Sequence, residues 1–220
     1  SVGQRFRVEI DSLKIEPRYN IAPSEDILVI LQDTRRRLAF FRWGLIPFWA
    51  KESGIGNRMI NARVETISQK PAFRRSLIKK RCIILADGFY EWRKDNHKKV
   101  PMYIRLKSHE PFGFAGLWDE WQPSQGEKIS SCTIITTESN ELVSNIHPRM
   151  PFILADEAEE HWLDHTIEDA VSLLSWLKPY PSEEMEAYEV SRAVNSPRYK
   201  EPDCIKPIGP VQTDSQTTYP

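Results

Sequence analysis

Short apolar segments, each closed by turn-forming residues, recur along most of this chain with no helix between successive pairs. That pattern excludes a βαβ-type parallel sheet and favours strands that pair with near neighbours. Ile27 to Leu31 reads as a buried strand, Asp33 to Arg37 as a turn, and Leu38 to Trp43 as the return strand of a hairpin. Cys82 to Ala86 and Gly88 to Arg93 read as strands meeting at Asp87-Gly88. Pro101–Leu106, Phe112–Trp118, Ser131–Thr137 and the short Ala187–Val190 add further strands. Helical signals are fewer. Pro71 opens a helix running to about Lys80; two more are expected over Asp156–Leu163 and Ile167–Leu177, the latter with an apolar stripe. The expectation is an α+β fold: a single domain with a curved, mostly antiparallel, barrel-like sheet flanked by helices. Residues 1–204 form that domain, and 205–220, rich in Pro, Gln, Thr and Ser, form a flexible tail.

The chain has 220 residues, 40 % of them hydrophobic and 28 % charged, which suits one folded domain and excludes disorder or a coiled coil. Its longest apolar run, Cys82 to Ala86, is far below the roughly 20 residues that span a bilayer. With no signal-peptide pattern in the first residues and only Cys82, Cys132 and Cys204, widely spaced, the expected setting is a reducing cytoplasm, without membrane contact. The net charge of −1 hides an asymmetry: residues 1–107 carry 23 Lys+Arg against 11 Asp+Glu, and residues 108–220 carry 7 against 20. Either the basic half meets a polyanion, or the two halves interleave and their charges pair.

Three segments display polar groups in patterns that packing does not require. On a strand, Asn61, Arg63 and Glu65 share one face, which is either a solvated face or a binding one. In Asp87-Gly88-Phe89-Tyr90-Glu91-Trp92, alternation puts Glu91 with Phe89 and Tyr90 with Trp92. A carboxyl among aromatic rings is a candidate for a raised pKa and acid/base work. In Asn145-Ile146-His147-Pro148-Arg149-Met150-Pro151, two prolines constrain a segment that displays His147 and Arg149. The seven tryptophans are either core or, beside Arg42 and Arg63, stacking platforms for unpaired bases. His161 and His165 are four apart, but Trp162 stands where a zincin needs Glu, so they read as surface histidines and no metal is expected. Phosphate-loop, dinucleotide and Gly-x-Ser-x-Gly motifs are absent.

Six stretches in order resemble the SRAP family (SOS-response-associated peptidase domain, the abasic-site processing proteins). They are Arg18-Tyr19-Asn20-Ile21-Ala22-Pro23-Ser24, Trp43 to Trp49, Ile60 to Thr66, Ala86 to Trp92, Ile146 to Pro151 and Val190 to Asn195. The resemblance implies a groove for single-stranded DNA and a covalent reaction with the ring-opened aldehyde of an abasic site, without cofactor, in the DNA damage response. In the family an N-terminal cysteine supplies the amine for a Schiff base and the thiol for a thiazolidine. Carried over by motif, Glu91 is the acid/base, His147 assists opening and reversal, and Asn61 positions the attacking N-terminus. Arg5, Arg63 and Arg149 face phosphates. Asn20, Pro23, Trp43, Trp49, Trp92 and Thr136 shape the groove or stack on bases.

The family begins Met-Cys-Gly-Arg-Phe, whereas Ser1-Val2-Gly3-Gln4 precedes Arg5-Phe6 here. The Ser1 amine is then the expected Schiff-base former, with ring closure weaker than from a thiol. Two alternatives remain: a non-catalytic single-strand binding module, and a peptidase acting on other proteins. A monomer is expected.

Overall fold

The computed structural model describes residues 1–10, 13–96 and 98–213, and the expected hairpin is its first strand pair. β1 (Asp26–Gln32) and β2 (Arg36–Trp43) lie antiparallel with Ile30 opposite Leu38 and Ile27 opposite Phe41. There follow β3 (Asn61–Arg63), β4 (Arg81–Ala86), β5 (Phe89–Asp95), β6 (Lys98–Leu106), β7 (Phe112–Trp121) and β8 (Ile129–Glu138). Two short strands, β9 (Arg149–Pro151) and β10 (Ile153–Leu154), precede β11 (Met185–Glu189). The larger sheet runs β10-β7-β4-β1-β2-β8-β3, with β9 also on β8. β7 pairs with β8 as well, so β7, β4, β1, β2 and β8 close into a ring. Every pairing is antiparallel except β2–β8 and β3–β8. The second sheet is β11-β6-β5.

Strand alternation divides the apolar residues between two cores. Val29, Phe41, Ile84, Phe114, Cys132 and Ile134 meet Met102, Ile104, Met185 and Ala187 of the second sheet. Ile30, Ile83, Ala115, Leu117 and Ile135 face the helices. Those helices are α1 (Val2–Phe6), α2 (Arg74–Lys79), α4 (Asp156–Leu163) and α5 (Ala170–Ser175); α3 (Glu141–Ser144) leads towards β9. Arg81 is fully buried with no acidic hydrogen-bond partner. Its guanidinium donates to the carbonyls of Leu77, Ile78, Trp162 and Asp164, at the ends of α2 and α4. A cation there satisfies carbonyls that helix ends leave orphaned and suits the dipole.

Three expectations are corrected. α2 begins at Arg74, not Pro71, because residues 71–73 form turns. α5 begins at Ala170, because the Asp169 carboxylate accepts from the Ser172 amide at 2.7 Å and caps the helix there. Residues 205–213 are not a loose tail: Gln212 exchanges main-chain hydrogen bonds with Ala187, and the Ile208 amide donates to Glu189. Polar composition concealed backbone pairing to β11; residues 214–220 lie outside the described residues.

Candidate functional site

β5 presents its side chains to two different environments. Phe89 packs edge-on against Phe114 at 5.8 Å, towards the larger sheet. On the other face, the Tyr90 hydroxyl donates to the Tyr19 carbonyl at 2.6 Å and Trp92 Nε1 donates to Asn195 Oδ1 at 2.8 Å. Glu91 shares the Phe89 side, as alternation requires. Burial raises its pKa above the ordinary carboxylate value, and the nearby His147 charge only partly offsets this.

His147 follows α3, its amide bonded to the Val143 carbonyl at 2.8 Å. Its Nδ1 lies 3.8 Å from Glu91 Oε2, too far for a hydrogen bond but close enough for strong attraction when the imidazole is charged. Nδ1 is also 2.8 Å from the Arg149 carbonyl and 3.2 Å from the Arg149 amide. The carbonyl contact requires a hydrogen on Nδ1 and the amide contact a lone pair there, and with the hydrogen on Nδ1 the free base nitrogen is Nε2.

β8 joins this pair to the Asn61 segment, with Arg63 in register with Thr136 and Glu138 opposite Arg149. Asn61 and Arg63 are exposed on either side of buried Ala62, as expected of one strand face. Glu65 does not continue that face. The strand ends at Arg63, and the Thr66 amide returns to the Arg63 carbonyl in a turn. From the turn, Glu65 meets Arg149 in a two-pronged ion pair, Nη1–Oε1 2.6 Å and Nη2–Oε2 3.0 Å. Arg149 Nη2 also donates to the Thr136 carbonyl at 2.8 Å. Arg149 is therefore paired with protein, and its hydrogen bonds hold Glu65 below the usual carboxylate pKa. Glu91, His147, Arg149, Thr136 and Glu65 form one connected set, with Arg63 beside Glu65.

The Trp43–Trp49 loop is fastened at several points. The Ile46 amide donates to buried Ser131 Oγ at 2.8 Å, the Phe48 amide to buried Asp119 at 2.8 Å, and Trp121 Nε1 to the Ala50 carbonyl at 2.7 Å. Trp43 itself is half-buried, with Nε1 bonded to the Ile60 carbonyl. Only the tip is open: Phe48 is 52 % and Trp49 47 % exposed. The Arg75 guanidinium lies over the Phe48 ring at 4.5 Å. Sequence reasoning missed Glu65 as Arg149's partner, Phe48, Arg75 and Asp119. The apolar loop tip signalled Phe48; nothing local signalled the other three. Pro23 is exposed next to Ser24, whose amide bonds the Trp43 carbonyl.

Other expected residues are placed elsewhere. Asn20 is buried, and its Nδ2 donates to the carbonyls of Val194, Ser196 and Tyr199, so its amide is consumed within the protein. Arg5 pairs with Asp156 and Glu159 of α4, and Phe6 is core. The polar contacts of α1 thus run to α4 and β2 and not to Glu91 or His147; the amine and hydroxyl of Ser1 face only Gln4 among the described residues, and its carbonyl accepts from the Arg5 amide. The three cysteines are buried, with thiol pKa values pushed up by burial, so none is a ready nucleophile. His161 stacks on Trp176 at 4.5 Å, while His165 lies beyond α4 and meets the Gln32 carbonyl, so the two do not share a helix face. Among the described residues no three His, Cys, Asp or Glu side chains are grouped to hold a metal, and no helix is long and apolar enough to cross a membrane.

Residues 1–197 match the family described as SOS response associated peptidase (SRAP). The chain is 53 % identical over 192 residues to the abasic site processing protein YoqW of Bacillus subtilis (strain 168), covering 86 % of each. It is 36 % identical over 233 residues to the abasic site processing protein HMCES of Xenopus tropicalis, covering 90 % of this chain and 68 % of that one. A solved protein from Bacteroides thetaiotaomicron superposes with a TM-score of 0.77 at 35 % identity, over 84 % and 82 % of the two chains. Another, from Bordetella bronchiseptica, gives 0.72 at 29 % identity, over 86 % and 95 %.

Proposed function

The chain belongs to the SRAP family, and on that premise we propose that it processes abasic sites in single-stranded DNA through covalent chemistry on the lesion aldehyde. The observation that carries the reading is the Glu91–His147 pair at 3.8 Å, joined through Arg149 to the Arg63 corner. Forming an imine from an aldehyde and an amine expels water, and the departing hydroxyl needs a proton. A carboxyl whose pKa is raised by burial is suited to give that proton and take it back. His147 Nε2 serves as the partner base, its ring fixed through Nδ1. Asn61 and Arg63 line the approach, Arg63 to a phosphate, and Phe48 and Trp49 offer ring faces to bases flanking the lesion. The amine expected for the imine is that of Ser1, which must leave its contact with Gln4 and be released from α1, tied to α4 through Arg5, to reach the pair. A cytoplasmic or nucleoid setting suits this substrate.

Six cations between residues 42 and 74 support the reading: Arg42, Lys51, Arg58, Arg63, Lys70 and Arg74 make no salt bridge among the described residues. The test is a denaturing gel after incubation with a single strand carrying one abasic site, with and without borohydride, beside binding to the intact strand. A covalent band that forms more slowly with Glu91→Gln is expected. Preferential binding of the abasic strand with no band in either lane would favour the non-catalytic binding module. No band and no preference for the abasic strand would refute both readings.

A further inference from the structure

Arg149 is the natural seat for a backbone phosphate in this site, yet its forked edge is occupied. Nη1 and Nη2 each face one oxygen of Glu65, and Nη2 also meets the Thr136 carbonyl at 2.8 Å and Thr136 Oγ1 at 3.3 Å. A guanidinium offers two such bidentate edges, Nη1/Nη2 and Nε/Nη2, to a carboxylate or a phosphate, the two anions bind them in the same way, and Glu65 holds the first. The pose is incompletely satisfied: Arg149 Nε is shielded from solvent and has no hydrogen-bond partner among the described residues. The arginine side chain is 22 % exposed and Glu65 47 %, so the carboxylate is the partner with room to leave. Glu65 stands in a turn just past β3, where a move requires no change in the sheet.

We propose that Glu65 is an internal stand-in for a DNA phosphate: it holds the Arg149 fork in the free protein and is exchanged for a backbone phosphate when a strand enters. The inference rests on the single-strand reading above and adds to it a residue that sets affinity by competing with the substrate. The exchange needs no co-reactant: one ion pair breaks, one forms, and the freed carboxylate turns to solvent. It also has a consequence for order. While Glu65 holds the fork, the Arg149 main chain still orients His147, so the pair beside Glu91 is assembled before DNA arrives.

The experiment is a two-by-two comparison of parent, Glu65→Gln, Arg149→Ala and the double variant, binding a fluorescent single strand by anisotropy across a salt series. Releasing the fork should tighten binding about two- to five-fold at low salt, the scale of a partly exposed ion pair. The slope of log affinity against log salt should stay close to that of the parent, because Arg149 meets the same phosphate in both complexes, and should flatten by about 0.7, the increment for one phosphate on a single strand, in Arg149→Ala. The tightening should vanish when Arg149 is already alanine. Equal tightening in the Arg149→Ala background would mean that Glu65 merely repels DNA, and would overturn the exchange. Weaker or unchanged binding by Glu65→Gln, with a parent-like melting temperature, would overturn it too. A parent that binds no single strand would instead sink the functional reading itself, and the exchange with it.

Discussion

Asn20→Ala separates two roles that the Arg-Tyr-Asn segment could play. The structure gives Asn20 a buried amide, 6 % exposed, whose single nitrogen lies 3.1, 3.1 and 3.0 Å from the carbonyls of Val194, Ser196 and Tyr199. Two hydrogens shared among three acceptors amount to two hydrogen bonds. Each contributes about 1 kcal/mol net, and carbonyls stranded away from water cost about as much again, so the alanine variant should lose about 2–4 kcal/mol. For a chain of this size that is a fall of about 5–12 °C in Tm. The same clasp positions Asn195, the partner of Trp92, and neighbouring Tyr19 accepts from Tyr90, so both residues flanking Glu91 are anchored here. The assay is a thermal melt, paired with single-strand binding measured well below the transition. Asn20→Asp keeps the shape but replaces the donors with oxygen facing three carbonyls, and should melt at or below the alanine variant. If instead Tm holds within about 1 °C while DNA binding weakens, Asn20 contacts the strand and the clasp argument is wrong.

Trp49→Ala should behave oppositely. Its ring is half exposed, so Tm should stay within about 1 °C, while loss of a stacking face worth about 1 kcal/mol or more should weaken single-strand binding about five-fold or more in anisotropy; unchanged binding removes it from the groove. Glu91→Gln should gain stability with rising pH. The folded state raises the Glu91 pKa above 4.5 and so holds its proton more tightly than the unfolded chain does, and stability is lost as pH climbs through that raised value. Melts of both proteins should coincide at pH well below 4.5 and separate in favour of Gln towards neutrality; a larger gain in acid would contradict the assigned shift.

Local pattern was enough for the strands that alternate over several residues. β1, β2, β4 and β5 fall within a residue or two of the segments read from apolar periodicity. β9 and β10 escaped because three and two residues carry no period. The parallel pairings of β8 with β2 and β3 escaped because they join residues about seventy or more positions apart. The site divides in the same way. Glu91 and His147 were legible as a carboxyl among rings and an imidazole just before a proline; their separation of 3.8 Å was not, since it depends on where α3 and the second sheet dock. Glu65 was read onto the strand face because Asn61-Ala62-Arg63-Val64-Glu65 alternates, and the turn after Arg63 broke that register. Asn20 was assigned to the groove by motif, although a short amide near a chain crossing serves equally well to bind carbonyls.

Of the two readings of the charge asymmetry, pairing between the halves is visible in the structure. Many cations of the basic half are spent on acids of the other: Arg5 on Asp156 and Glu159, Arg36 on Glu160, Lys80 on Asp119, Arg93 on Glu189 and Arg105 on Glu186. These contacts tie α1 to α4, α4 to β2, the start of β4 to β7, and the strands of the second sheet to one another. What they leave is concentrated. Between residues 42 and 74 the only acids are Glu52 and Glu65, and Glu65 is engaged by Arg149, itself from the acidic half. A protein of net charge −1 exerts no long-range pull on a polyanion. Attraction must then act at short range, from this stretch and the aromatic tip it surrounds, within about a Debye length of 8–10 Å. Under the proposed function, affinity built that way would depend on which few cations meet phosphate, so that an acid occupying one of them would set how tightly a strand is held.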